Sequence, residues 1–183
     1  MLKKLLFILL LVSVPGDARS PLDREPVMAA VRVFFGPRAG FDEVDRELIG
    51  RARQRIDMAA YVLTDRSVID ALEAAARRGV KVRLYLDPEQ PGGRAGTSGR
   101  IQQLLRGGNV EARVKGLGAD YMHLKAFQVD GRYLRSGSAN FSFSGEQRQD
   151  NDIIVIENRN VAGAFMMQFE QLWTRAGNVT IAL

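Results

Sequence analysis

The single histidine of the chain, His123, lies two residues before Lys125 and seven before Asp130, in the spacing H-x-K-x4-D. A second segment, GSAN, begins seven residues after the aspartate and supplies Ser138 and Asn140. An imidazole can act as a nucleophile or a general acid. A lysine, a hydroxyl and an amide can together bind the oxygens of a phosphate from several directions. The two segments therefore predict a site that cleaves phosphodiesters, with Lys125, Ser138 and Asn140 as phosphate ligands.

The segment that carries the histidine is predicted to be a β-strand over residues 122–129. Alternate residues of a strand point to the same side, so His123 and Lys125 are expected on one face of a sheet. Two neighbouring cationic groups disfavour each other's charge unless an anion lies between them. The dipeptide Asp130-Gly131 predicts a tight hairpin turn, after which residues 132–136 return antiparallel.

The elements around this segment alternate between strands and helices. Strands are predicted at 27–35, 56–63, 80–86, 109–114, 122–129, 132–136 and 152–157, and helices at 42–55, 65–78, 100–106 and 158–173. Asp42, either Thr64 or Asp65, and Asn158 are the expected helix caps. The Pro- and Gly-rich residues 88–99 are expected to form a mobile loop. This order predicts an α/β fold with helices on the faces of the sheet.

The N-terminal residues are typical of a secretory signal. Lys3 and Lys4 precede an apolar run at residues 5–14, and small residues at Gly16 and Ala18 suit cleavage after residue 18. We expect residues 1–18 to be a signal peptide, 19–26 a linker and 27–183 one catalytic domain, exported to the periplasm or secreted. An uncleaved membrane anchor is the alternative, although about ten apolar residues are short for a bilayer that needs about 20.

The composition restricts the chemistry further. The chain has no cysteine and one histidine, which excludes Cys-ligated zinc and multi-His metal sites, so neither a metal nor another cofactor is expected. Without residues 1–18 the chain keeps 24 basic against 20 acidic residues. This modest excess suits a polyanionic partner, either nucleic acid or an anionic lipid surface, but it also suits a protein that only needs to be soluble.

The motif H-x-K-x4-D followed by GSxN resembles the HKD signature of the phospholipase D superfamily. Residues 78–82 and the pair Leu86-Asp87 are also similar to that family, and the likeness spans residues 27–173. The chain looks like the small bacterial endonucleases of the superfamily that carry a single motif. The resemblance implies a single phospholipase D-like domain with a mixed β-sheet sandwiched between helices.

The resemblance also implies roles for individual residues. In the family one motif histidine attacks phosphorus to form a phosphohistidine, and a second protonates the leaving oxygen and later activates water. His123 is then the nucleophile or the acid, and Asp130 is an orienting or structural carboxylate of the catalytic set. Asp150 is the best match to the acidic residue that orients the histidine in relatives, and Asp152 is its rival.

Because two motifs are needed and the chain has one, we expect an isologous homodimer with both His123 side chains facing across the two-fold axis. The expected function is a metal-independent, nonspecific endonuclease acting on DNA or RNA. The alternative is a phospholipase D that acts on phospholipid headgroups, without a stable membrane anchor after signal cleavage. A noncatalytic nucleic-acid-binding module is the third hypothesis, and the complete catalytic set of residues disfavours it.

Overall fold

The computed structural model describes residues 28–37, 39–90, 99–116, 118 and 120–181. The expected signal peptide, the linker and residues 91–98 of the expected loop lie outside the described residues. The elements in chain order are β1 (Ala30–Phe35), α1 (Phe41–Arg51), β2 (Arg55–Ala60), α2 (Arg66–Arg77), β3 (Lys81–Leu86), α3 (Gly99–Arg106), β4 (Val110–Val114), β5 (Lys125–Val129), β6 (Tyr133–Gly137), α4 (Phe143–Gln147), β7 (Asp152–Glu157), α5 (Arg159–Trp173) and β8 (Val179–Thr180).

The strands form one sheet in the order β1-β7-β6-β5-β2-β3-β4-β8. β2, β3 and β4 run parallel, whereas β5, β6, β7 and β1 pair antiparallel to their neighbours. The sheet is therefore mixed, as expected. The antiparallel hairpin of β5 and β6 lies at its centre, next to the first parallel strand.

Helices cover both faces of this sheet. Met58 packs in the large core cluster with residues of α1, α2 and α3, whereas its neighbour Ala59 packs with Phe169 and Trp173 of α5. Successive strand residues point to opposite faces, so the first three helices and α5 lie on opposite sides. The expected arrangement of a sheet between two helical layers is confirmed.

Two of the three expected helix caps are confirmed, and the third is wrong. Asp65 caps α2 by accepting hydrogen bonds from the main-chain nitrogens of Ser67 and Val68 at 2.8 and 3.1 Å, and Asn158 caps α5. The expectation that Asp42 caps α1 is wrong, because Gly40 occupies the cap with a φ of 70° and Asp42 lies in the first turn. Among the described helices, none combines the length and the apolar character needed to cross a membrane.

Several expected boundaries are also wrong. The strand expected at 122–129 begins only at Lys125, and α1 ends at Arg51 rather than near residue 55. The expectation that β1 is buried is wrong, because it is an edge strand in which only Val31 is buried. The short β8 was not expected at all. Pairing of Val129 with Tyr133 leaves three residues, 130–132, in the hairpin turn instead of two.

Candidate active site

His123 lies in the irregular segment just before β5, so it does not share a strand face with Lys125 as expected. Its side chain is exposed, whereas Lys125 is only 6% exposed. The two residues are nevertheless in contact, because Lys125 Nζ donates a hydrogen bond to the main-chain oxygen of His123 at 2.7 Å. Burial lowers the pKa of the Lys125 ammonium below its ordinary value.

Tyr61, just after β2, packs against both of these residues. Its ring centroid lies 4.5 Å from that of His123, and Lys125 Nζ lies 4.7 Å from the same ring. The Tyr61 ring thus restricts the movement of the imidazole. The same ring makes a cation–π contact with the Lys125 ammonium, which is favourable for a cation. Nothing in the sequence pattern around Tyr61 distinguishes it from an ordinary residue at a strand end.

Main-chain hydrogen bonds fix the backbone on both sides of His123. The nitrogen of Met122 donates to Asp87 Oδ2 at 2.8 Å, and the oxygen of Leu124 accepts from the nitrogen of Tyr61 at 2.8 Å. Asp87 is 1% exposed and lies directly after β3. A buried carboxylate that accepts a backbone N–H is a strong local restraint. The histidine therefore projects from a backbone whose position is set by β2 and β3.

The start of the same segment is anchored from β4. Lys115 Nζ donates to the main-chain oxygen of Asp120, and it lies 3.4 Å from that of Tyr121. Beyond this anchor the Tyr121 side chain is 61% exposed, and its ring lies 6.0 Å from that of Tyr61 in an edge-to-face arrangement. An exposed aromatic ring therefore borders the histidine.

Ser138 lies where β6 ends against β7. A Cβ at Gly137 would overlap the main-chain oxygen of Asp152, so only glycine permits this close approach. Ser138 Oγ donates to Asp152 Oδ1 at 2.6 Å and accepts from the Asp152 nitrogen at 2.9 Å. Of Asp150 and Asp152, the two candidate orienting acids, the structure brings Asp152 to Ser138 of the GSAN segment. Asp150 is exposed.

Arg135 links the histidine-bearing segment to the GSAN segment from beneath. Its Nη1 donates to the main-chain oxygens of Lys125 at 2.9 Å and Ala139 at 3.1 Å. Its Nε and Nη2 each donate to the carboxylate of Asp45 at 3.0 Å, and the guanidinium stacks on Phe141 at 4.4 Å. The sequence analysis missed this pair, since one arginine in a half-buried strand and one aspartate in a polar helix give no signal that they meet.

Asn140 is partly buried, and its Oδ1 is fully buried without a hydrogen-bond partner. The nearby Glu146 of α4 is 0% exposed, and neither of its carboxylate oxygens has a partner. Burial, followed by the charges of Asp65 and Asp45, raises the pKa of Glu146 to about 9. Sequence reasoning missed Glu146, because a glutamate in a polar stretch is ordinarily exposed.

Asp130 is not brought to His123. It lies in the turn at the opposite end of β5, a strand of five residues that spans roughly 16 Å. Its carboxylate accepts the main-chain N–H groups of Arg53, Gln54 and Arg55 at 2.8 to 2.9 Å. These bonds connect the hairpin turn to the chain entering β2, so the structure gives Asp130 a structural contact.

The assembled site can receive a phosphodiester at an exposed imidazole. Lys125 Nζ is hydrogen-bonded to the His123 main chain, and Arg135 Nη1 links the main chain of Lys125 to that of Ala139 in the GSAN segment. An ammonium group has three N–H donors. Lys125 uses one of them for the main-chain oxygen of His123, which leaves two for other acceptors. In the part of the chain that the structure describes, no group of three or more His, Cys, Asp or Glu side chains could hold a metal ion.

Comparison with known proteins shows that these residues lie in a domain with known relatives. A family model described as "Cardiolipin synthase, PLD-like domain" matches residues 46–173. The phospholipase D of Rickettsia felis is 28% identical over 145 residues, which are 79% of this chain and 70% of that protein. The phospholipase D of Rickettsia prowazekii is 30% identical over 76% of this chain and 65% of its own length. The mitochondrial cardiolipin hydrolase of Chlamydomonas reinhardtii is 26% identical over 69% of this chain and 55% of its own length.

Two solved structures share the fold over almost their whole length. Nuc from Salmonella typhimurium, a phospholipase D family member, superimposes with a TM-score of 0.70 at 24% identity and covers 83% of this chain and 97% of its own. NucT from Helicobacter pylori has a TM-score of 0.70 at 21% identity and covers 79% of this chain and 96% of its own.

Proposed function

The chain belongs to the phospholipase D superfamily of phosphodiesterases, and we propose that it is a metal-independent, nonspecific endonuclease that hydrolyses DNA or RNA through a phosphohistidine. The observation that carries the proposal is the position of His123. Its imidazole is exposed on a backbone held by Asp87 and Tyr61, directly beside the buried ammonium of Lys125. A rigid nucleophile next to a fixed positive charge is what attack on an anionic diester needs.

In the first step a ring nitrogen of His123 attacks phosphorus. A P–N bond forms, the P–O bond to the leaving group breaks, and the leaving oxygen takes a proton from a second imidazole. Water then attacks the phosphohistidine while that second imidazole accepts the water proton, and the P–N bond breaks. Lys125 and the side-chain amide of Asn140 stabilise the charge that builds on the phosphate oxygens, whereas the hydroxyl proton of Ser138 is engaged with Asp152.

The second imidazole belongs, in this proposal, to the partner's His123. Each chain has one histidine, so a mechanism that needs a nucleophile and an acid requires two chains. An isologous dimer places two copies of one residue across the two-fold axis, and the exposure of His123 leaves it accessible for such a pairing.

Nucleic acid is favoured as the substrate by the surroundings of His123. Tyr121 is 61% exposed beside the Tyr61 ring that touches the histidine, and exposed aromatic side chains can stack on the bases of a single strand. The excess of 24 basic over 20 acidic residues after residue 18 adds attraction to a polyanion. Neither feature reads a base sequence, so the cleavage is expected to be nonspecific.

Phospholipid is the second candidate, and one feature of the site favours it. Leu124 is 39% exposed immediately after the histidine, and a leucine with the nearby Tyr121 could contact acyl chains at a membrane surface. Relatives from Rickettsia and Chlamydomonas are a phospholipase D and a mitochondrial cardiolipin hydrolase. Both candidate substrates would be cleaved by the same catalytic residues. They differ only in the chemical groups attached to the phosphate.

One set of cleavage assays in the presence of EDTA distinguishes the two candidate substrates. Purified protein is incubated with plasmid DNA, with RNA, and with phosphatidylcholine or cardiolipin vesicles, beside His123→Ala and the control Asp70→Ala, which changes an exposed carboxylate of α2. We expect cleavage of both nucleic acids by the wild type and the control, and none by His123→Ala. Lipid hydrolysis with intact plasmid would reverse the choice of substrate, and loss of all activity in EDTA would contradict the histidine mechanism.

A further inference from the structure

Two neighbouring side chains near the site carry buried acceptors without donors. Among the described residues, the buried side-chain polar atoms that lack a hydrogen-bond partner are Oδ1 of Asn140 and both carboxylate oxygens of Glu146. A buried polar group left unsatisfied costs about 1–3 kcal/mol. A proton on Glu146 would turn one of these acceptors into a donor, so one protonation can pair one Glu146 oxygen with Asn140 Oδ1.

The backbone brings the two residues close together. A Cβ on Gly145 would lie 2.6 Å from the main-chain oxygen of Asn140 and 3.0 Å from its nitrogen, so the residue before Glu146 packs directly on Asn140. Glu146 Oε1, Glu146 Oε2 and Asn140 Oδ1 are all buried without a hydrogen-bond partner. Only glycine at position 145 permits this approach, because any side chain would collide with the Asn140 backbone.

The charges around Glu146 favour the protonated form. Asp42 and Asp45 of α1 and Asp65 at the start of α2 all act to raise its pKa, and burial raises it most, to about 9. Arg135 is the cation that opposes them, but its donors are engaged with Asp45 and with two main-chain oxygens. At neutral pH the carboxyl group therefore keeps its proton.

We propose that Glu146 is a positioning residue: as a neutral carboxylic acid it donates a hydrogen bond to Asn140 Oδ1 and so turns Asn140 Nδ2 outward to the phosphate. An ionised carboxylate has no proton to donate. It would attract Nδ2 inward instead and leave Oδ1 facing the anionic substrate. Protonation of one buried acid thus selects the amide orientation that binds the diester, an inference that rests on the proposed function for the role of Asn140.

The kinetic test compares Glu146→Gln with Glu146→Leu on bis(4-nitrophenyl) phosphate, a diester that is neither nucleic acid nor lipid. The Gln variant keeps a donor at every pH, so we expect activity within about threefold of wild type at pH 7 and loss of the activity decrease that the wild type shows near pH 9. The Leu variant keeps the volume without a donor, and we expect about a tenfold lower kcat/KM. An unchanged alkaline decrease in Glu146→Gln would overturn the proposal, as would full activity of Glu146→Leu.

A second measurement does not depend on activity. The infrared difference between wild type and Glu146→Gln at pH 7 should contain the carbonyl stretch of a protonated carboxylic acid, and this band should disappear above pH 9. The band should shift in Asn140→Ala, because its hydrogen-bond acceptor is gone. A missing band at pH 7, or one that Asn140→Ala leaves unmoved, would overturn the inference. A band that behaves as expected in a protein that cleaves no diester would support the hydrogen bond and refute the proposed function alone.

Discussion

Arg135 donates a hydrogen bond to the main-chain oxygen of Lys125 at 2.9 Å, from a guanidinium that is 0% exposed. The same nitrogen donates to Ala139 in the phosphate-ligand segment. A charge at such depth is stable only when it is paired and hydrogen-bonded. One buried ion pair, Arg135 with Asp45, therefore supports both halves of the site at once.

Asp45→Leu should destabilise the protein strongly, because it leaves the Arg135 charge buried without its partner. Breaking a buried pair from one side costs about 3–5 kcal/mol in free energy of unfolding, whereas replacing both members by apolar residues costs less. We expect Asp45→Leu with Arg135→Met to recover part of the stability but not the activity, since the Lys125 and Ala139 oxygens lose their donor. Urea denaturation and diester hydrolysis measure the two effects, and a double variant as active as wild type would show that the linkage is not needed.

Asp87→Ala should impair catalysis more than folding. Asp87 accepts the N–H of Met122 at 2.8 Å, one residue before the proposed nucleophile His123, and a displacement of about 1 Å can cost about 100-fold in rate. We expect kcat to fall about 10- to 100-fold, with a smaller loss in Asp87→Asn, which keeps an acceptor.

The matched control for Asp87 is Asp70→Ala, which removes an exposed carboxylate whose partner is Arg100 at 3.4 Å. It should leave kcat unchanged. Equal losses of kcat in the two alanine variants would mean that the Met122 contact has no special importance.

Stability should depend on pH through Glu146. Its pKa is about 9 in the folded protein and 4.5 in its ordinary state, so between these values the folded chain holds a proton that the unfolded chain has released. The contribution of Glu146 to the free energy of unfolding is therefore highest below about pH 4.5, and it decreases as the pH rises toward 9. We expect Glu146→Gln to lack this decrease, so the difference in Tm between variant and wild type should grow from pH 5 to pH 9. A constant difference over that range would argue that Glu146 is ionised in the folded state.

Activity should require two intact copies of His123. When wild type and His123→Ala are refolded together, a mixed dimer holds one histidine and cannot supply both the nucleophile and the acid. We expect total activity to fall with the square of the wild-type fraction, measured on bis(4-nitrophenyl) phosphate. A linear fall, or full activity of a monomer at high dilution, would refute the shared site.

The regular elements could be predicted because their signals are local. Asp65 and Asn158 stand before apolar stripes at helical spacing, and Gly79 adopts a φ of 92° just after α2, where a helix stop is expected. The strand at 152–157 has the expected bounds. An error arose at the start of α1, where Gly40 occupies the cap and Asp42 lies in the first turn.

The sequence by itself determined the reacting groups. The scarcity of histidine, the absence of cysteine and the spacing of His123, Lys125, Ser138 and Asn140 depend only on residue identity and order, and they led to the superfamily and to a phosphodiester site. Only the tertiary structure shows where the carboxylates lie and what they contact. It brings Asp152 to Ser138, keeps Asp130 at the far end of the hairpin, and buries Glu146. The reason is that a carboxylate's role depends on its depth, its donors and its neighbouring charges, and these come from elements far apart in the chain.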